Sequence, residues 1–239
     1  MKAMILAAGE GTRLRPLTER IPKPMLSVSG LPILEYNIRL LTKHGIRELV
    51  INLHHCPDVV SGYFGDGNSW SVSITYSYEP VLLGTAGAVK KVESLFDSTF
   101  LVVYGDNLIT CDIGRLCAFH RKKGGIGTLT LFYRKDPTSS GIVDLDQDDR
   151  IIRFLEKPEL HQVFSHWVNA GILVLEPEVL KYIRSDKPSD FGRDILPALI
   201  ADGQPLYGYK MSEKLWWIDT LEDYKRLQEL VERGEVELP

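Results

Sequence analysis

The chain has 239 residues, 44% hydrophobic and 25% charged, with a formal net charge of −4 at pH 7. That length suits one large α/β domain or two small ones, and the mildly acidic balance excludes the broad basic surface that non-specific nucleic-acid binding needs. No run approaches the roughly 18–20 apolar residues of a membrane span and the apolar stretch before Gly9 is too short for a signal segment, so a cytoplasmic protein without nucleic-acid or membrane partners is expected.

Residues 2–8 (KAMILAA) predict a buried strand, and Gly9 to Pro24 a loop. This loop holds Arg13, Arg15, Arg20 and Lys23 against Glu10 and Glu19, a net +2 in a chain whose remainder is −6, so an anionic partner is expected. Pro32 opens a helical pattern, with Ile33, Tyr36, Asn37, Leu40 and Leu41 at helical spacing and Gly45 as its stop. Strands follow at 48–53 and 72–78, a helix at 85–96, a strand at 99–105 ending on Asp106, and a helix at 113–124. This alternation predicts a Rossmann-like, mostly parallel sheet with helices on both faces. Residues 127–134, 141–146 and 150–157 read as neighbouring strands, a small antiparallel insertion. A strand at 169–177, helices near 178–184 and 191–202, and short strands at 204–210 and 215–219 come next. Thr220 caps a last amphipathic helix with Leu221, Tyr224, Leu227, Leu230 and Val231 inward. Cys56, Cys111 and Cys117 lack zinc-site spacing and are expected as reduced core thiols.

A loop after the first strand of a parallel sheet lies at the carboxyl edge, where such sheets bind ligands. Gly9 and Gly11 there let backbone N–H groups approach phosphate oxygens. The pattern G-E-G-T-R is neither G-x-G-x-x-G nor a Walker P-loop, and a tight turn with surface basics is the plainer alternative. Pro22 and Pro24 brace Lys23, which lowers the entropy lost in holding its ammonium at one spot.

From Met4 to about Tyr224 the chain resembles the sugar-1-phosphate nucleotidylyltransferases, most of all the mannose-1-phosphate guanylyltransferases, through "LAAGEGTRLRPLT" and "PKPM". The resemblance implies a single nucleotidyltransferase domain over 1–239, with a nucleotide-binding half at about 1–112 and a sugar-binding half at about 113–239. It also implies transfer of a nucleotidyl group from an NTP to a sugar 1-phosphate with Mg2+ as cofactor. Family members are often dimers or tetramers, though no stretch here specifies an interface. Hexapeptide repeats, the mark of an appended acyltransferase, are not found in these residues.

Site residues follow from the matched motifs. Arg13, Lys23 and Asp106 ("VVYGDN") are the implied catalytic set, and Asp106 with Asp219 ("LWWIDT") the implied metal ligands. Without the resemblance, Asp106 reads as a turn residue and Asp219 as a helix cap. Ala7, Ala8, Gly9, Gly11, Thr12, Gly84 and Thr85 ("GTAGAV") would line the nucleotide. Glu79 would meet the base, since a carboxylate can accept two guanine N–H groups together. The mannose-specific pattern E-P-L-G-T-A-G is here E-P-V-L-L-G-T-A-G, two residues longer, so a direct Glu79 contact stays open. Gly141 ("SSGIV"), Glu156 and Lys157 ("FLEKP") and Asn169 ("NAG") would hold the sugar phosphate. GTP with mannose 1-phosphate is the favoured pair. UTP or dTTP with glucose, heptose or N-acetylamino sugar 1-phosphate is one alternative. The other is a regulatory homologue that binds nucleotide sugar without turnover. His54 and His55 point to opposite faces of a strand and are expected to be structural.

Overall fold

The computed structural model describes residues 1–185, 187–236 and 238. In chain order the main elements are β1 (Lys2–Leu6), α1 (Ile33–Lys43), β2 (Glu48–Leu53), α2 (Pro57–Phe64), β3 (Ser73–Tyr78), α3 (Gly84–Lys91), β4 (Phe100–Tyr104), α4 (Ile113–Lys123), β5 (Gly127–Tyr133), β6 (Gly141–Leu145), β7 (Ile151–Glu156), β8 (Trp167–Leu175), α5 (Leu196–Ala201), β9 (Leu206–Lys210) and α6 (Leu221–Glu232). They form two compact units. The first comprises Met1–Leu82, Val103–Cys111 and Glu213–Pro239, and the second Leu83–Val102 and Asp112–Ser212.

In the first unit β1 pairs in parallel with β2, and β2 with β3, in unbroken register. Strands covered on both faces need continuous apolar runs, and Ala3, Met4 and Ile5 are fully buried. The Leu6–Asn52 pair closes the β1–β2 ladder, which sets Asn52 beside the start of the basic loop. A core of Leu14, Leu26, Val28, Ile33, Tyr36, Leu108, Ile218 and Leu227 ties that loop to α1 and α6. Each fully buried aliphatic side chain there is worth about 1.5–3 kcal/mol in area removed from water. Helix α6 begins with the expected cap: Thr220 and Asp223 exchange side-chain and backbone hydrogen bonds in a capping box.

The second unit joins a parallel pair, β9 with β5, to antiparallel pairs of β8 with β5 and β7 with β6. The mostly parallel sheet and the antiparallel insertion expected from the sequence are therefore both present. The register places Glu156 opposite Gly141, and the β8–β5 ladder is interrupted between Asn169 and Leu173.

Several boundaries differ from expectation. Helix α2 was not predicted, because it buries only Val60 and Phe64 and so leaves no amphipathic stripe to read. Helix α3 stops at Lys91 and a 3-10 turn, Glu93–Leu95, replaces the rest of the expected helix. The helix near 178–184 is a 3-10 segment, Pro177–Tyr182, and that at 191–202 is a π turn, Phe191–Ile195, leading into α5. Of 215–219 only Leu215–Trp216 is strand. Cys111 and Cys117 are buried, whereas Cys56 is only half-buried at the start of α2, and none of the three is in a disulfide among the described residues.

Candidate active site

In the first unit the basic loop is fixed by its own small residues. Gly11 has φ +61°, and a Cβ there would lie 3.0 Å from both Lys23 Cβ and Thr18 Cγ2, so glycine is required twice over. The Thr18 hydroxyl donates to the Gly11 carbonyl (2.7 Å), and the Thr18 carbonyl lies 2.7 Å from His55 Nε2. His54 similarly meets the Glu79 carbonyl at 2.7 Å. Both histidines are thus braces of backbone. Thr12 and Arg13 form a short 3-10 turn whose Leu14 is buried, leaving Arg13 exposed.

Lys23 follows Pro22, whose extended backbone (φ −70°) opens a second 3-10 turn. Its ammonium donates to Asp106 Oδ2 at 2.7 Å and to Asp219 Oδ1 at 3.4 Å, and Arg13 reaches the same Asp219 oxygen at 3.1 Å. The Lys23 side chain is 8% exposed, against 19% for Asp219 and 36% for Asp106. Burial alone would push the Lys23 pKa down. The two carboxylates outweigh it and hold the pKa above the ordinary lysine value.

Asp106 is placed by its neighbours. The Gly105 N–H donates to the Leu6 carbonyl (3.0 Å), and a Cβ on Gly105 would come within 2.8 Å of Ile5. The Asn37 amide donates to the carbonyls of Gly105 (3.4 Å) and Asn107 (3.1 Å), bracketing Asp106. Asp219 owes its freedom to the next residue. Because Thr220 is the cap of α6, the Asp219 carboxylate is left to face Arg13 and Lys23.

Two carboxylates that converge on one ammonium offer hard oxygen donors suited to a magnesium ion, which commonly takes one or two protein carboxylates and completes its shell with water and phosphate. Among the described residues no group of three or more His, Cys, Asp or Glu is arranged to hold a metal. The donor set fits a cation shared with substrate better than a closed protein cage.

Glu79 is 1% exposed and accepts a hydrogen bond from Asn52 Nδ2 (2.8 Å), while Asn52 Oδ1 accepts from the Ala7 N–H (2.8 Å). This buried relay joins the end of β3 to the end of β1. Ala7 and Ala8 are buried, and Gly9 has open space where a side chain would stand.

In the second unit the loop around Gly84 and Thr85 is tied to residues 189–194. Gly84 has φ +75°, and a Cβ there would collide with the Ser189 carbonyl. That carbonyl accepts from the N–H groups of Ala86 and Gly87, both at 3.0 Å. The Thr85 hydroxyl donates to Asp190 Oδ2 (2.8 Å) and accepts from the Phe191 N–H (2.8 Å). Gly141 and Glu156 are together, and Gly192 joins them. A Cβ on Gly192 would lie 2.5 Å from Glu156 Oε2, and one on Gly141 2.6 Å from it. The Glu156 carboxyl is pushed up by burial and by the charge of Asp190, against opposing pulls from Lys157 and Arg193. Lys157 is exposed with φ +48°. Asn169 turns its Oδ1 to the Gly171 N–H (3.1 Å) at the interruption of β8.

Asn37, Asn52, Asp190 and Gly192 were not among the expected site residues. Asn37 fell among positions of helical period, and the partners of the others lie far away along the chain. Trp216 packs beside the core of the first unit.

The profile of the family described as Nucleotidyl transferase matches residues 2–232. The chain is 40% identical over 233 residues to a UTP–glucose-1-phosphate uridylyltransferase of Synechocystis sp., covering 92% of this chain and 60% of that protein. It is 37% identical over 228 residues to a mannose-1-phosphate guanylyltransferase of Mycobacterium tuberculosis, covering 94% and 62% respectively. The chain therefore spans about 60% of the length of the curated relatives it matches. By fold it is similar to a UDP-glucose pyrophosphorylase complexed with UDP-glucose (TM-score 0.85, 18% identity, 98% of each chain). It is also similar to HddC from Yersinia pseudotuberculosis complexed with GMP-PN (TM-score 0.81, 24% identity, 96% of this chain and 99% of that one). With a family match across nearly the whole length, the chain belongs to the nucleotidyl transferase family.

Proposed function

We propose that the protein transfers a nucleotidyl group from a nucleoside triphosphate to a sugar 1-phosphate, releasing pyrophosphate, with GTP and mannose 1-phosphate as the favoured pair. The observation that carries this reading is the ammonium of Lys23 shared between Asp106 and Asp219, with Arg13 on the latter. In-line transfer between two polyanions needs cations on the phosphates and carboxylates to hold a metal. Magnesium at Asp106 and Asp219 would supply Lewis-acid polarisation of the α-phosphate. An oxygen of the sugar phosphate attacks the α-phosphorus, the bond from that phosphorus to its bridging oxygen breaks, and pyrophosphate leaves with both electrons. Arg13 balances charge on the departing phosphates, while Lys23 and Lys157 grip the reacting pair. The backbone around Ala7, Ala8, Gly9, Gly11 and Thr12 takes the nucleotide, and Gly141, Glu156 and Asn169 take the sugar. No covalent enzyme intermediate is required.

UTP with glucose 1-phosphate is the second reading, favoured by the 40% identity to the Synechocystis enzyme. The test is pyrophosphate release with magnesium, crossing GTP, UTP, dTTP, CTP and ATP with mannose, glucose and N-acetylglucosamine 1-phosphates. A dominant GTP and mannose response supports the first reading, and a dominant UTP and glucose response the second. Nucleotide binding without release from any pair would overturn both in favour of a regulatory role.

A further inference from the structure

Resting on Glu156 as a sugar contact, we propose that Asp190 is its positioning residue: by clamping Thr85 and the Gly192 peptide, Asp190 fixes the wall against which the Glu156 side chain is set. Asp190 uses both carboxylate oxygens. Oδ1 accepts from the N–H groups of Gly192 (2.9 Å) and Arg193 (3.2 Å), and Oδ2 accepts from the Thr85 hydroxyl at 2.8 Å. Thr85 returns the grip by accepting from the Phe191 N–H. Asp194 adds a second brace, accepting from the Asp190 N–H at 2.7 Å. The π turn 191–195 is thus held at its start by side chains more than 100 positions apart in sequence.

What this clamp presents to Glu156 is bare backbone. Gly192 and Gly141 both approach Glu156 Oε2 so closely that neither leaves room for a Cβ beside it. No hydrogen bond to the Glu156 carboxylate is found among the described residues; only burial and neighbouring charges act on it. A carboxylate in a slot of two glycines, without a protein donor, is oriented by the position of the slot walls and keeps its lone pairs for a ligand's hydroxyl groups. The slot moves if the Gly192 peptide moves, and Asp190 is what pins that peptide. The same geometry gives Thr85 a part different from base contact. Its only hydroxyl proton is committed to Asp190, so it acts as the anchor of the clamp.

Steady-state kinetics with the best substrate pair, varying each substrate separately, test the assignment. Asp190→Ala and Gly192→Ala should each raise KM for the sugar 1-phosphate about tenfold while KM for the triphosphate moves by less than about twofold. Thr85→Val should follow with a smaller rise, and Thr85→Ser, which keeps the hydroxyl, should restore wild-type values. In a Glu156→Ala background Gly192→Ala should add nothing, since the wall then has nothing to set. Melting curves and the milder Thr85 pair guard against a variant that fails to fold. A rise confined to the triphosphate KM, or equal for both substrates, would overturn the assignment. If wild type turns over no pair, the proposed function fails separately. Crystal structures of Asp190→Ala and Gly192→Ala then decide, and an unmoved Glu156 carboxylate in both would overturn the positioning role.

Discussion

In the first unit the charges of the candidate site are already spent on one another: Lys23 holds Asp106 and Asp219, and Arg13 shares the latter. In the second unit Glu156 lies against two glycines with its pKa raised, and no side chain or N–H donates to it among the described residues. The first arrangement is set by charge and the second by shape. A charge-set site must exchange partners when phosphate and metal arrive, so its cations and carboxylates compete with ligand. A shape-set site is ready beforehand, and its cost is the desolvation of an unpaired carboxylate.

The largest expected effect comes from breaking the charge-set site at its centre. Lys23→Met should lower turnover by about 10²–10³, measured as pyrophosphate release under saturating substrates. It also leaves Asp106 and Asp219 facing the same space without their cation. Magnesium alone should therefore raise the melting temperature of Lys23→Met more than that of wild type, because the lysine no longer competes for the pair. An equal magnesium shift in the two proteins would mean that Asp106 and Asp219 do not bind the ion together.

The next effect sharpens the comparison inside the first unit, at the relay Glu79–Asn52–Ala7. Asn52→Ala leaves the Ala7 N–H and the Glu79 carboxylate, both buried, without that partner. The expected loss is about 2 kcal/mol, which at this chain length lowers the melting temperature by roughly 4–8 °C. Glu79→Gln distinguishes support from base reading. An unchanged order of preference among GTP, UTP and dTTP assigns Glu79 to holding Asn52, whereas a changed order assigns it to the base.

Smaller still is the pH signature of the shape-set site. Glu156 in the folded state keeps its proton to higher pH than in the unfolded chain. The folded state therefore binds more protons between the two pKa values, and stability falls as pH rises through that window. Glu156→Gln removes the penalty. The variant should melt at a higher temperature than wild type at pH 7–8, and the gap should close once pH falls below the ordinary carboxylate range. A constant gap across pH would show that burial and Asp190 do not govern this group.

The parts legible in the sequence are those carried by local pattern. β1 and β2 announce themselves as apolar runs, β3 by its period-two alternation, α6 by its period and Thr220, and the basic loop by charge and prolines. Lys23 and Asp106 could be picked out by motif, but their contact spans 83 positions and needs the fold to exist. Asp190 left no local mark. An aspartate before Phe-Gly reads as a turn, and its link to Thr85 lies 105 positions away. Helix α2 was missed for the opposite reason, since its local pattern is weak and its packing rests on two residues. Thr85 and Glu79 matched a motif, yet the geometry gives each an internal hydrogen-bond partner that no single sequence displays.

The smallest effect concerns Lys157, which has φ +48° and precedes Pro158. A residue before proline is driven toward extended backbone, and a side chain with Cβ is strained at positive φ. The turn is nevertheless held, with the Lys157 N–H donating to the Ser140 carbonyl at 3.1 Å. Lys157→Gly adopts this conformation freely and should gain about 0.5–1 kcal/mol, a rise of roughly 1–4 °C in melting temperature. If the ammonium grips a phosphate, the same variant should lose at least about tenfold in kcat/KM for the sugar 1-phosphate. Lys157→Asn, which tolerates positive φ but carries no charge, should lose as much activity with a smaller thermal gain. Higher melting with unchanged turnover in both would mean that the strained turn serves the β6–β7 hairpin alone. Higher melting with lost turnover would mean that the strain is what aims the lysine.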